Sequence, residues 1–394
     1  MTTTTQAPTG TAIDRDVLLD VRGLAVAYRD AAGEEVRLVD DVSFTLRRGE
    51  TLGLAGESGC GKTTTALSLL GLLPTNLYRA AGEVTLNSER GVMHIDRRTD
   101  RGFRDLRWRN VSIIFQGAMN ALDPVMRVSR QIEEALRLHD PDIDDAGVRE
   151  RTAELFEYVG INPERARQYP HEFSGGMRQR VMIALALACG PELIIGDEPT
   201  TALDVMMQAQ ILELLESLRD QFGLAMILIT HDLSVLAETC DRVAIMYGGR
   251  FAEIGTVDEL YRHPQHPYTH RLLGAFPAIG GPRELAPPIP GVPPDPSVRS
   301  AGCRIEPRCH MSTDRCAVEE PALMPLGDGH AARCLFVPWE SGALDRRSAG
   351  LADAGPPAGD APGGPGPAGE PPTWAETPGG MAMPIPDQPT GDAQ

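Results

Sequence analysis

Lysine has all but vanished from this chain: of its 37 basic side chains, Lys62 alone is not an arginine. Long apolar runs are missing as well. A helix across a bilayer takes about 18 or more consecutive apolar residues, and the nearest approaches, residues 181–189 and 224–229, fall well short. The opening Met1-Thr2-Thr3-Thr4-Thr5 has neither the basic nor the apolar block of a secretion signal, so the expected location is the cytoplasm. Positive charge is in deficit too, with a net charge of −18 and an isoelectric point near 4.9. Nucleic acid and anionic lipid both reward basic surfaces, which excludes them as the main partner. No stretch of the chain repeats another, which excludes a duplicated architecture.

The surviving lysine stands inside Gly56-Glu57-Ser58-Gly59-Cys60-Gly61-Lys62-Thr63, which fits G-x-x-x-x-G-K-[ST] at every fixed position. A coding bias against lysine explains the absences, but not why the survivor falls here. An ammonium is a compact point charge on a flexible stem and slips between the β- and γ-phosphates of a nucleotide, where a planar guanidinium needs a different geometry. The three glycines allow dihedrals closed to other residues, so successive amides turn inward and form a nest for phosphate oxygens. A helix beginning near Lys62 adds its positive end. Thr63 supplies a hydroxyl for Mg2+, and Thr64 extends the nucleotide-binding run. The expected context is a short buried strand over 50–55 and a helix over 64–73.

Composition divides the rest. Residues 1–16 are polar and rich in threonine, and residues 340–394 are dominated by Pro, Gly, Ala and acidic side chains; both ends are expected to be disordered. From 17 to 259, strand-like apolar runs alternate with amphipathic helical stretches, the pattern of an α/β domain. Strands are expected at 17–28 and 36–46 as an antiparallel pair, and at 112–115, 193–196, 225–230 and 243–247 as buried strands. Helices are expected at 131–138, 148–159, 176–188, 208–222 and 233–239. The first two lie between strands and belong to a helical insertion at about 117–180. A Pro-rich segment, 260–339, holds four of the seven cysteines.

The strand over 193–196 runs into Asp197 and Glu198. Downstream of a phosphate loop, Asp197 would hold Mg2+ and Glu198 would orient and polarise an attacking water. Phe173-Ser174-Gly175-Gly176-Met177-Arg178-Gln179-Arg180 opens a helix with two glycines, whose free amides and hydroxyl suit a second anion. With these motifs the chain resembles the ATP-binding-cassette family. The resemblance implies an α/β nucleotide-binding domain with a phosphate-loop core sheet, an antiparallel β subdomain and a helical insertion, followed by a small Cys-containing C-terminal segment. It implies that Ser174, Gly175 and Gly176 close over ATP held by the phosphate loop of a partner cassette. It also implies that Gln116 senses Mg2+ and the attacking water, that His231 contacts the γ-phosphate, that Asp204 touches the opposite protomer, and that Tyr28 stacks on adenine. Phe173 stands where leucine is usual and Gly196 where a larger residue is common, and neither departure removes a ligand.

Gly248-Gly249-Arg250, Glu253-Ile254-Gly255 and above all His263-Pro264-Gln265-His266-Pro267-Tyr268-Thr269 look like the ATP-binding subunits of dipeptide, oligopeptide and nickel importers, a resemblance that covers about residues 17–338. It implies an ATPase powering peptide import, with nickel or another small solute as the alternative cargo. The implied partners are a second cassette subunit in a heterodimer, two transmembrane permease subunits and, indirectly, an extracellular solute-binding protein; the place is the cytoplasmic face of the membrane. A cassette working on DNA or ribosomes would carry two cassettes, a long coiled coil or basic patches, and this sequence has none of them. Cys303, Cys309, Cys316 and Cys334 are separated by 5, 6 and 17 residues. In a cytosolic chain such clustering suggests a metal rather than disulfides. The gaps are wider than the tight pairs zinc favours and suit thiolates around a larger cluster; a [4Fe-4S] centre is the expectation, with zinc or no metal as the alternatives.

Overall fold

The computed structural model describes residues 15–97, 100–117, 121–201, 203–275, 289–298, 300–327, 329–339 and 344. The ends expected to be disordered, 1–16 and 340–394, lie outside the described residues apart from 15, 16 and 344. The chain begins with β1 (Val17–Arg29) and β2 (Glu35–Arg47). Next come β3 (Thr51–Ala55), α1 (Lys62–Leu69), β4 (Tyr78–Ser88), β5 (Gly91–His94), α2 (Asp100–Leu106) and β6 (Val111–Ile114). A helical stretch follows, with α3 (Val128–His139), α4 (Asp145–Tyr158) and α5 (Gly175–Ala186). Strand and helix then alternate through β7 (Leu193–Asp197), α6 (Val205–Phe222), β8 (Ala225–Ile229), α7 (Leu233–Thr239) and β9 (Arg242–Tyr247). The remainder is β10 (Arg250–Thr256), α8 (Val257–Arg262), α9 (Pro267–Gly274), α10 (Asp314–Val318), β11 (Met324–Pro325) and β12 (Ala331–Ala332).

These elements build two sheets, ordered β2-β1-β4-β5 and β11-β12-β10-β9-β3-β8-β7-β6. The first is antiparallel, with Val21 opposite Phe44 and Tyr28 opposite Val36. In the second, β3 lies between β8 and β9 and runs parallel to both, and β7 is parallel to β6 and β8. β3, β7 and β8 are buried along their whole length, as parallel strands covered on both faces must be. One core fills the space between the sheets, with Val21, Val42 and Phe44 against Leu52, Leu54 and Ile227, and Ala66 and Leu69 of α1 beside them. A second joins Ile132, Phe156, Val181 and Ile211 of the helices to Ile114 and Ile194 of the sheet. Each such fully buried leucine or isoleucine contributes about 2 kcal/mol.

The expected strands and helices are present, and α1 is shorter than the helix read over 64–73. Gly71 turns into the left-handed region at φ 60°, and Arg107 donates to the carbonyls of Leu70 at 2.9 Å and Gly71 at 2.8 Å, so the helix is stopped and capped from outside. β4 and β10 were not legible in advance. β4 contains Ala80-Ala81-Gly82-Glu83, weak strand formers, and is held by its pairing with β1, where a Cβ on Gly82 would lie 2.5 Å from Leu24 Cα. β10 returns from β9 through Gly248 and Gly249, at φ 54° and 82°, the geometry of a tight hairpin.

The C-terminal segment is part of the same compact unit. β12 pairs antiparallel with β10, Glu253 opposite Ala332 and Ile254 opposite Ala331, so residues beyond 259 extend the central sheet and cover its edge. No helix among the described residues is long and apolar enough to cross a membrane. The parallel strands all deliver their C-terminal ends to one edge of the sheet, where ligands of open α/β sheets are bound.

Candidate nucleotide site

β3 ends at Ala55 and the chain enters the glycine-rich loop. Gly56, Gly59 and Gly61 take φ values of 142°, 79° and 105°. At Gly56 a Cβ would come within 2.2 Å of the Met246 carbonyl oxygen, so the loop can pass β9 only with glycine there. Gly61 immediately precedes α1, whose first residue is Lys62. The Lys62 ammonium is buried and donates to the carbonyls of Gly56 at 2.8 Å and Glu57 at 3.1 Å. It is thus held over the loop that its motif expects it to serve.

Thr63 Oγ1 donates to Asp197 Oδ1 at 3.1 Å, joining the start of α1 to the end of β7. Burial pushes the Asp197 carboxyl up; the Thr63 hydrogen bond opposes this, and the charge of Glu198 adds to the rise. No ion pair among the described residues neutralises this carboxylate. A hydroxyl and a carboxylate side by side are the hard oxygen donors Mg2+ prefers, so the residues present fit that ion.

Glu198, at φ 48°, sits in the left-handed region that non-glycine residues seldom enter. Its N–H donates to the Ile229 carbonyl of β8 at 2.9 Å, which fixes the turn. Its Oε2 accepts from Gln116 Nε2 at 2.6 Å and from Thr201 Oγ1 at 2.8 Å, and His231 Nδ1 stands 3.5 Å from its Oε1. Gln116, Glu198 and His231 follow β6, β7 and β8 in turn, and the parallel register brings all three to one carboxylate. Gln116 was expected beside Mg2+ and water; here its amide holds Glu198. Thr201 was missed, although it lies in the run that follows Glu198.

The other expected residues are elsewhere. Ser174 caps α5, accepting from the Met177 N–H at 3.4 Å, and no hydrogen bond or ion pair among the described residues joins Ser174, Gly175 or Gly176 to the phosphate loop. A Cβ on Gly176 would lie 1.9 Å from Met207 Cε, so this glycine lets α6 approach α5. Asp204 caps α6 through the Met207 N–H at 2.9 Å, beside the exposed Val205 and Met206. Tyr28 is half-buried opposite Val36. A cleft of about 680 Å3 opens beside Glu57–Cys60, between residues 34–38 and the C-terminal residues 293–298; Tyr28 does not line it.

The C-terminal segment reaches the loop directly. Arg308, buried, donates to both carboxylate oxygens of Glu57, at 2.7 and 2.9 Å, and to the Tyr247 hydroxyl at 3.2 Å. The Tyr268 hydroxyl accepts the Glu57 N–H at 3.2 Å. Neither contact was foreseen: Tyr268 stood only in a marker motif, and nothing local in the sequence distinguishes Arg308 among the arginines. Cys303, Cys309, Cys316 and Cys334 line one small cavity together with His266 and Met311. Burial pushes the thiols of Cys303, Cys309 and Cys334 up, to about 11, 12 and 12. Among the described residues no three His, Cys, Asp or Glu side chains are grouped to hold a metal ion.

The chain matches the family described as ABC transporter over residues 39–201, and the oligopeptide/dipeptide transporter C-terminal region over residues 252–316. It is 45% identical over 324 residues to a probable peptide ABC transporter ATP-binding protein of Sinorhizobium fredii, covering 81% of this chain and 95% of that one. It is 44% identical over 340 residues to the oligopeptide transport ATP-binding protein OppD of Salmonella typhimurium, covering 86% and 98%. The dipeptide transport ATP-binding protein DppD of Escherichia coli is 41% identical over 321 residues, covering 81% and 96%. Among solved structures, a dimeric bacterial ABC transporter cassette superposes with a TM-score of 0.54 at 25% identity, covering 61% of this chain and 99% of that one.

Proposed function

The chain belongs to the ATP-binding subunits of peptide ABC transporters, and from that premise we propose how its residues carry ATP hydrolysis. The observation that carries the reading is the meeting of Thr63 with Asp197 and of Gln116, Thr201 and His231 on Glu198, at the edge where the phosphate loop opens. Lys62 leaves the loop carbonyls to pair with the β- and γ-phosphates, and the loop amides cradle their oxygens. Thr63 and Asp197 would hold Mg2+, which would supply positive charge to offset that developing on the phosphates. Glu198, oriented by Gln116 and Thr201, accepts the proton of the attacking water, and His231 faces the γ-phosphate. Tyr28 takes the adenine by stacking. If so, Glu198→Gln in the purified transporter retains ATP binding and lowers turnover by about a hundred-fold or more; near-normal turnover would remove Glu198 from the role of base.

Among the described residues no hydrogen bond or ion pair joins the Ser174–Gly176 turn to its own phosphate loop, and a cassette of like fold is dimeric. Both support a shared site in which this turn and Asp204 serve the nucleotide of a second, different cassette subunit. Motion would pass through the α3–α5 region to two permease subunits at the cytoplasmic face of the membrane, with an extracellular solute-binding protein delivering peptide. Affinity capture of the tagged chain from solubilised membranes tests this: two permease subunits and a second cassette are expected, and recovery of the chain alone would sink it. The four cysteines line one small cavity, and a [4Fe-4S] centre is the reading proposed for them on their wide spacing, with zinc or no metal as the alternatives. Protein purified without oxygen that holds neither iron nor broad visible absorption would overturn that reading.

A further inference from the structure

We infer that Arg308 is a positioning residue for the phosphate loop: it cancels the charge of Glu57 and, with Tyr268, clamps the loop from the C-terminal segment in the form that accepts ATP. The inference rests on the nucleotide reading of that loop and names a part of the site that the cassette itself does not supply. Glu57 places a carboxylate in the loop meant for a triphosphate, so an unpaired charge there opposes binding. Arg308 meets it with a two-pronged, charge-assisted pair, at 2.7 and 2.9 Å, from a side chain only 7% exposed. The guanidinium is itself held. Its Nε donates to the Pro290 carbonyl at 2.7 Å, and it lies 5.6 Å from the centre of the Tyr247 ring. Tyr247 packs on Tyr268 with ring centres 4.7 Å apart, and Tyr268 accepts the Glu57 N–H. Both the backbone and the side chain of one loop residue are therefore fixed by groups from β9, α9 and the Cys-bearing segment.

The signature of this arrangement is suppression. In the purified full-length chain, titrated with ATP and Mg2+ by calorimetry, Arg308→Ala is expected to weaken ATP about ten-fold, the scale of one charge-assisted pair. Adding Glu57→Gln should bring affinity back toward wild type, because the liberated charge is gone. Arg308→Lys should fall between, keeping the charge and losing the fork. Arg315→Ala, an exposed arginine of the same segment paired with Glu319, should leave affinity unchanged. Melting temperatures on the same samples separate a lost clamp from a lost fold. A folded Arg308→Ala with wild-type affinity overturns the inference, as does a double variant whose losses multiply. Should Arg308→Ala fail to fold, Arg308→Lys and Tyr268→Phe decide it: each is expected to weaken ATP a few-fold, and unchanged affinity in both overturns it. A wild-type chain that binds no ATP would instead sink the reading of the site.

Discussion

A carboxylate kept in a buried place, with no ion pair among the described residues, works against the resting fold, and Asp197 is such a residue. Burial raises its pKa, the Thr63 hydrogen bond and the nearby Lys62 charge only partly offset this, and Glu198 adds repulsion. The sign follows directly. A carboxyl whose folded pKa is raised makes the chain less stable at neutral pH and relieves it as the pH falls and the proton returns. Asp197→Asn is therefore expected to raise the melting temperature of the nucleotide-free chain by a few degrees at neutral pH, and to abolish the extra stabilisation that Mg2+ adds to ATP. A variant that melts below wild type without nucleotide would show that the carboxylate is a structural asset and not a functional burden.

At the level of elements, Asp40 near the middle of β2 ties β10 and the C-terminal segment to the antiparallel sheet. Burial pushes its carboxyl up, but the hydrogen bonds and charges of Arg250, Arg37 and Arg304 prevail and bring it down to about 2. Its distances to these three are 2.5, 2.9 and 2.6 Å. A depressed carboxyl contributes stability that is complete above the unfolded value and is lost as pH falls from about 4 through about 2. Asp40→Asn is expected to lower stability by about 3 kcal/mol at neutral pH, since three arginines lose their shared partner, and to flatten the acid limb of the curve. Urea melts across that range check both points; an unchanged acid limb would assign it to other carboxylates.

For the whole molecule, the C-terminal segment completes the cassette. Glu253 of β10 is fully buried, and its carboxylate is satisfied by His330 Nε2 at 2.9 Å and by the N–H groups of Gln265 at 2.7 Å and His266 at 2.9 Å. All three donors come from beyond residue 259. A chain ended there would strand a buried charge, worth about 3 to 5 kcal/mol, and bare the edge of β10 to other chains. Such a truncation is expected to give aggregated or poorly soluble protein, read by soluble yield and calorimetry; a soluble monomer melting at the wild-type temperature would show that the cassette is self-sufficient.

The sequence by itself determined the phosphate loop, the acidic strand end and the buried strands and helices around them, because each is written in local terms. A glycine spacing dictates a backbone path, an apolar period selects helix or strand, and a lone lysine marks its ligand. Tertiary structure alone decided what no neighbour in sequence could state. Gln116, Glu198, Thr201 and His231 converge because three parallel strands end at one edge. The α1 helix stops where Arg107 takes the carbonyls of Leu70 and Gly71 just past its end. β4, with weak strand formers, is a strand because β1 offers it hydrogen bonds. Arg308 and Glu57 lie 251 residues apart in the chain, and their pairing depends on the C-terminal segment folding back over the site. Short-range preferences are fixed by the residues themselves, whereas pairing across such a distance is fixed only when burial and charge compensation together choose one packed arrangement.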